Sequence, residues 1–417
     1  MRRFKRRSLP LLCHLGLCAA QLSAQQSFTW GEVRERFRQN NPNLLAGQLT
    51  IAENRAIEVT AGLRPNPELG VVSDQFRIFN SRPLASLNDF QLTPTLSQLI
   101  ERRNKRQLRV ASARLGTEIS TTDQLDLERN LTFSLRDAFN RVLQAKALLQ
   151  LARENLEYYD RVVRVNNERL TAGDISRVDF VRVDLQHVQF ESDLVNAQVN
   201  LKTAKIQLLA FLNDRRPVDR FDITGDFEFI DRVLVLDELR RQALEVRPDL
   251  RSAVTAVERA RADHRLAIAN GSTDPIVGLE YQRLTGENTL GFAVTFPIRI
   301  FDRNQGEKAR TSLVIQQNER NRQNVEAGVL RDVESGVASL ESVVSLLKAY
   351  RDRYLPESTE IREKINFAYT NGGASLLDFL DAQRSFRDTQ VAYLNLLGNY
   401  YTAANQLNLA VGHEVIP

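Results

Sequence analysis

Two long runs of apolar residues, stepping alternately by three and four, constrain this chain more than any other feature. The first is Leu131, Leu135, Ala138, Val142, Ala145, Leu149, Ala152, Leu156, Tyr159 and Val163. The second is Leu330, Val333, Val337, Leu340, Val344 and Leu347; it is interrupted at Arg351 and resumed by Tyr354, Ile361, Ile365 and Ala368. A spacing of 3.5 residues marks helices that insert their apolar side chains into holes on neighbouring helices. The segments that carry the runs, Glu101 to Ala172 and Asp302 to Asn371, each hold about seventy residues, on the order of 100 Å of helix. No compact domain needs helices of that length, and Pro356 predicts a kink or local unwinding in the second.

The chain answers to itself about halfway along. Asn41-Pro42-Asn43-Leu44 matches Arg247-Pro248-Asp249-Leu250, Arg102 to Lys105 matches Asp302 to Gln305, and Gly173 to Asp179 matches Gly372 to Asp378. The three matches keep one order and nearly one offset, which implies a duplicated unit. Residues 25–213 form the first repeat and 236–417 the second, joined by a linker at 214–235. Each begins with a helix, from roughly Phe28 to Leu63 and from Leu236 to Asn270. A β-hairpin follows, at about 67–100 and 275–301, then the long helix, a Gly-containing turn at about 171–179 and 370–378, and a returning helix. Gly173 and Gly372 suit the ends of the long helices, and Ser176 and Ser375 the starts of the returning ones.

The hairpin segments have a period of two. Phe90, Leu92, Pro94 and Leu96 alternate with Gln91, Thr93, Thr95 and Ser97; Leu290, Phe292, Val294, Phe296 and Ile298 alternate with Gly291, Ala293, Thr295, Pro297 and Arg299. Leu69 to Ile78 and Ile276 to Tyr281 read as their partners. One apolar and one polar or small face suits a strand between lipid and an aqueous lumen, and equally a half-buried soluble sheet. Four strands cannot close a water-filled barrel, and open edges cannot sit in lipid. Three chains would supply twelve strands and close it.

The first 24 residues read as a secretory signal. Arg2, Arg3, Lys5, Arg6 and Arg7 precede a short apolar run from Leu9 to Ala20, and Leu22-Ser23-Ala24 offers a cleavage site. Removing it takes five basic residues, so the formal charge of +4 falls to −1 and nothing suggests a nucleic-acid partner. Cys13 and Cys18 leave with it. Leu15-Gly16-Leu17-Cys18 resembles a lipidation site, with Leu17 where a small residue is wanted, and this stands as the second reading. His187, His264 and His413 are widely separated, and the sequence holds no nucleophile elbow, phosphate loop or zinc spacing. The reading is of no enzyme, no cofactor and no metal site.

The layout resembles the TolC family of outer-membrane factors over essentially the whole mature chain. The resemblance implies a mainly α fold with a β-barrel portion: a trimeric helical coiled-coil tunnel in the periplasm, continued by a twelve-stranded outer-membrane barrel with four strands per chain. Thr295 to Gly306, reading TFPIRIFDRNQG, is similar to the CzcC/CusC heavy-metal branch. So is Leu96 to Glu101 with Lys105 and Arg106, although Asn104 stands where Gly is usual. Tyr369 to Arg384, reading YTNGGASLLDFLDAQR, resembles the family's second helical turn.

The implied function is a passive exit duct of a tripartite efflux system, a homotrimer joined to a periplasmic adaptor and an inner-membrane RND-type pump, with heavy-metal cations as cargo. Drug efflux or type I protein secretion, and a poreless coiled-coil scaffold, remain as alternatives. The tip turns at Gly173, Ser176, Gly372 and Ser375 would meet the adaptor. Asp378 and Asp381, three apart on one helix face, would form acidic rings that select cations. Asp179 and Tyr369 would link neighbouring hairpins and hold the tip shut. Ala374 stands where a relative has Arg in that lock, and Arg182 lies one turn beyond Asp179 to replace it.

Overall fold

The computed structural model describes residues 26–74, 91–284 and 286–416. The leader with Cys13 and Cys18, and residues 75–90 with Ile78 and Phe90 of the first hairpin, lie outside the described residues.

The first repeat runs β1 (Gln26–Phe28), α1 (Trp30–Asn40), α2 (Pro42–Gly62), β2 (Glu68–Asp74), β3 (Gln91–Leu99), α3 (Lys105–Ala172) and α4 (Arg177–Phe211). The linker carries β4 (Phe221–Ile223), and the second repeat runs α5 (Leu236–Val246), α6 (Pro248–Asn270), β5 (Ile276–Leu284), β6 (Glu287–Thr295), α7 (Gln305–Ala349), α8 (Leu355–Thr370) and α9 (Leu376–Val411).

The helix expected from Phe28 to Leu63 is two helices, and so is that from Leu236 to Asn270. Pro42 and Pro248 each open a helix, and a residue before proline is driven out of the helical region. Asn41 sits at φ −71°, ψ 120° and Arg247 at φ −62°, ψ 124°. Both then pin the far end of a returning helix. Asn41 Nδ2 donates to the Phe211 carbonyl at 3.1 Å, and Arg247 Nη1 to the Ala410 carbonyl at 3.2 Å.

The long helices begin at Lys105 and Gln305. Each follows an asparagine in the left-handed region, Asn104 at φ 58° and Asn304 at φ 60°, a conformation asparagine tolerates better than most residues. Helix α3 is continuous over 68 residues, about 100 Å. Between α7 and α8, Tyr350 to Tyr354 form a π turn in which the Leu355 N–H donates to the Tyr350 carbonyl. Pro356 has no N–H and its ring crowds the carbonyl four residues back, so the widened turn falls where the sequence placed unwinding.

Strands pair in the order β2-β3-β5-β6, all antiparallel. Near the sheet the helices lie in matching order, α2-α3-α6-α7; further away the order is α4-α3-α9 with α7 and then α8 outermost. One flank of the chain is thus β2, α2 and α4, and the other is β6, α7 and α8. At the waist β1 and β4 pair in parallel beside a core of Phe37, Leu135, Phe139, Leu208 and Phe221. Asp222 lies 3.0 Å from both Lys146 Nζ and Lys205 Nζ, tying β4 to α3 and α4.

The register aligns the alternation across all four strands. Leu69 faces Leu96, Leu96 faces Leu279, and Leu279 faces Phe292. Opposed residues share a face, so Leu69, Val71, Leu92, Leu96, Leu279, Tyr281, Leu290 and Phe292 line one side, all exposed to the surroundings of the chain. Gly70, Thr95, Glu280, Gly291 and their neighbours line the other. The last strand stops at Thr295, short of the Ile298 that alternation suggested, because Pro297 cannot donate to a ladder.

Most of the first seam is internal: Leu135, Val142, Leu149 and Tyr159 are buried. The resumed part of the second seam is divided: Tyr354 and Ile361 are 43% and 54% exposed on the α7–α8 flank, whereas Ile365 packs against the buried cluster at the tip. On the opposite flank α4 shows Val178, Val181, Leu185, Val188, Val195, Val199 and Ile206, exposed and at the same 3.5-residue spacing.

Candidate functional site at the helical tip

The end of the molecule furthest from the sheet is made by two helix reversals of one design. At the end of α3 the Asp174 N–H donates to the Arg169 carbonyl at 2.8 Å and the Gly173 N–H to Leu170 at 3.1 Å. At the end of α8 the Gly373 N–H reaches Ala368 at 2.7 Å and the Gly372 N–H reaches Tyr369 at 3.2 Å. These pairs satisfy carbonyls that a helix end would otherwise leave open, and they need a left-handed residue. Gly173 at φ 81° and Gly372 at φ 76° supply it.

The returning helices are capped in the same way. Ser176 Oγ accepts from the Asp179 N–H at 3.1 Å, and Ser375 Oγ accepts from the Asp378 N–H at 3.2 Å. The Asp378 carboxylate answers by accepting from the Ser375 N–H at 3.2 Å and its hydroxyl at 2.7 Å. Those bonds, the hydroxyl first, hold the exposed Asp378 carboxyl below the usual range. Asp381 lies one turn on, exposed and with no hydrogen-bond or ionic partner among the described residues. The two carboxylates therefore differ: Asp378 belongs to the cap, whereas Asp381 is free to meet an ion.

Tyr369 is buried where the two hairpins meet. Its hydroxyl donates to Asn166 Oδ1 at 2.7 Å, from α8 to α3. Asn166, 2% exposed, uses its amide to donate to the Val162 carbonyl at 2.9 Å. The Tyr369 ring stacks on Phe379 at 4.7 Å, and the Arg169 guanidinium lies 5.0 Å from its centre. Burial pushes the Tyr369 hydroxyl up, with Arg169 opposing. Asp179 makes no hydrogen bond to Tyr369, although its charge helps to raise the tyrosine hydroxyl. Its neighbours are Ser176 and Arg182, the latter at 3.8 Å on the same helix. Ala374 packs against the buried aromatic cluster of Tyr159, Phe190, Tyr369 and Phe379. Sequence reasoning missed Asn166, whose signal was a polar residue at the next seam position of α3, one turn beyond Val163 and two beyond Tyr159.

The histidines stay apart. His187 Nε2 is 2.6 Å from Asp160, and His264 Nδ1 is 2.8 Å from Thr311 Oγ1. Among the described residues no group of three or more His, Cys, Asp or Glu side chains could hold a metal ion.

A four-stranded sheet with one apolar face, carried on helices of about 100 Å that reverse at a capped tip, is a layout that comparison can place. The chain matches the outer membrane efflux protein family over residues 33–214 and 239–413. It belongs to that family. The cobalt-zinc-cadmium resistance protein CzcC of Cupriavidus metallidurans is 24% identical over 391 residues, 89% of this chain and 87% of CzcC. The cation efflux system protein CusC of Escherichia coli is 25% identical over 284 residues, 65% of this chain and 61% of CusC. The crystal structure of CusC superposes with a TM-score of 0.78 at 18% identity, covering 99% of both chains. The outer membrane protein VceC of Vibrio cholerae gives 0.74 at 17% identity, covering 93% of this chain and 97% of VceC. This efflux protein therefore has the TolC-like fold, and its relatives are outer-membrane channels rather than enzymes.

Proposed function

We propose that three copies of this efflux protein close into a passive duct through the outer membrane and periplasm, and that the duct exports heavy-metal cations. The observation that carries the reading is the sheet: four strands in register with one continuous apolar face, open at β2 and β6. An open edge is not stable in lipid. Joining β6 of one chain to β2 of the next gives twelve strands in three copies and leaves no edge. The same step brings the exposed heptad face of α4 to the α7–α8 flank that carries Tyr354 and Ile361. A head-to-tail contact of this kind closes a ring.

In that ring the tip turns at Gly173, Ser176, Gly372 and Ser375 form the end that a periplasmic adaptor would meet, with an inner-membrane pump of the RND type beyond it. Asp378 and Asp381 of three chains would stack as carboxylate rings that favour cations. Tyr369 would hold the hairpins together in the shut state, and Asp179 would contribute charge beside it. The names of CzcC and CusC support metal cations as cargo. A poreless scaffold would leave the apolar sheet face with no medium to match it.

The test is single-channel recording of the purified mature protein in planar bilayers, with its oligomeric mass in detergent. Trimers with cation-selective conductance are expected. A monomer that never inserts would overturn the duct. Metal sensitivity of a host that keeps its pump and adaptor but lacks this protein tests the cargo.

A further inference from the structure

At the waist, where α9 ends and α6 begins against α3, α1 closes off a cleft of about 380 Å³. Trp30, Phe133 and Leu409 give it an apolar floor, and five arginines stand around it against Glu128 and Glu414. Two of the five are fully paired. Arg38 pairs with Glu128 at 2.6 Å, and Arg129 is held by Asp126 and the Leu409 carbonyl, both at 2.6 Å. The Arg34 and Arg251 side chains have no ion pair or hydrogen bond among the described residues. Arg136 lies 4.6 Å over the Trp30 ring and meets its nearest acid, Glu414, only at 4.0 Å. Burial pushes the Arg136 guanidinium down from its ordinary range, and Glu414 only partly opposes this.

We propose that this cleft binds an acidic peptide segment of a periplasmic partner, with one apolar side chain on the Trp30 floor and carboxylates on Arg34, Arg136 and Arg251. Two features select that ligand. The cleft has room for a large side chain or two and is open to solvent at Arg38 and Arg251, with Arg34 and Arg136 half-buried inside it, so it suits a segment lying across it better than an enclosed metabolite. Its uncompensated charge is positive on both walls, which attracts acids and repels basic segments. Three of the walls, α3, α6 and α9, lie between the two flanks, and α1 closes the remaining side, its capping Asn41 bonded to the end of α4. The inference goes beyond the duct; the partner's compartment rests on that reading, whereas the cleft and its charge do not.

Trp30 is the sole tryptophan of the chain, so its emission reports on the cleft alone. The purified full mature protein would be titrated with a blocked tripeptide of one phenylalanine and two glutamates, with its twin carrying two glutamines, and with inorganic phosphate. A saturable change in Trp30 emission is expected for the glutamate peptide only, weakening as salt rises. Arg34→Gln/Arg251→Gln should weaken it about tenfold or more at unchanged oligomeric mass, while Arg34→Lys/Arg251→Lys should retain it. Equal response to the glutamine peptide would overturn recognition by charge. Equal response to phosphate would replace the peptide with a simple anion, and no saturable response would remove the site.

Discussion

Replacing Tyr369 with phenylalanine removes one hydroxyl and leaves the ring on Phe379 and beneath Arg169. What is lost is the 2.7 Å bond to Asn166 Oδ1. Asn166 is 2% exposed, so water does not readily replace the missing donor and the oxygen is stranded. A buried acceptor left without a partner costs about 1–3 kcal/mol. Because the bond joins α8 to α3, that cost falls on the contact between hairpins and leaves each helix intact. Opening of the tip should become easier by roughly 5- to 150-fold. Two assays read it: hydrogen exchange of the amides around Val162 to Leu170, and the open probability of single channels. Asn166→Leu on the Tyr369→Phe background removes the stranded oxygen, so the double variant should be less destabilised than the sum of the two single changes. Exchange rates and open probability unchanged in Tyr369→Phe, or strictly additive effects in the pair, would refute the reasoning.

Gly173→Ala and Gly372→Ala should each destabilise the tip by about 1 kcal/mol through backbone strain alone. A Cβ at either position meets nothing within 4 Å, so Asn should be tolerated better than Ala in thermal melts. Asp381→Asn should lower cation preference, read as a shift of reversal potential in a salt gradient, with no change in melting. Asp378→Asn should do both, because its carboxylate also caps α9. Acid should loosen the waist through Asp222. Burial alone would raise its pKa, but bonds from Lys146, Lys205 and the Ile223 N–H outweigh that and lower it. A carboxyl depressed in the folded state gives stability that is full above its unfolded value of about 3.9 and is lost as pH falls from there through the folded value. Asp222→Asn should therefore melt lower at neutral pH and show a shallower further loss on acidification below about pH 4.

Much of this architecture is local and was therefore legible in the sequence. Gly173 and Gly372 follow from the left-handed residue a helix reversal needs, Ser176 and Ser375 from the open N–H groups of a helix start, and the strand faces from alternation. The π turn follows from Pro356. The breaks at Pro42 and Pro248 were equally local, yet the sequence reading ran one helix through each.

Periodicity says that a face is apolar and not what covers it, and here the tertiary structure decided. Leu135 and Leu149 are buried within the chain, while Tyr354 and Ile361 continue the seam pattern and are left at a flank. That Tyr369 would meet Asn166, some two hundred positions away, depends on how α3 and α8 cross. That Asp378 is tied into a cap while Asp381 is free depends on which carboxylate reaches Ser375. The waist cleft collects arginines from three separate helices, and no spacing along the chain announces it. Short-range geometry is written in neighbouring residues, whereas pairing between distant ones is fixed only when the helices pack.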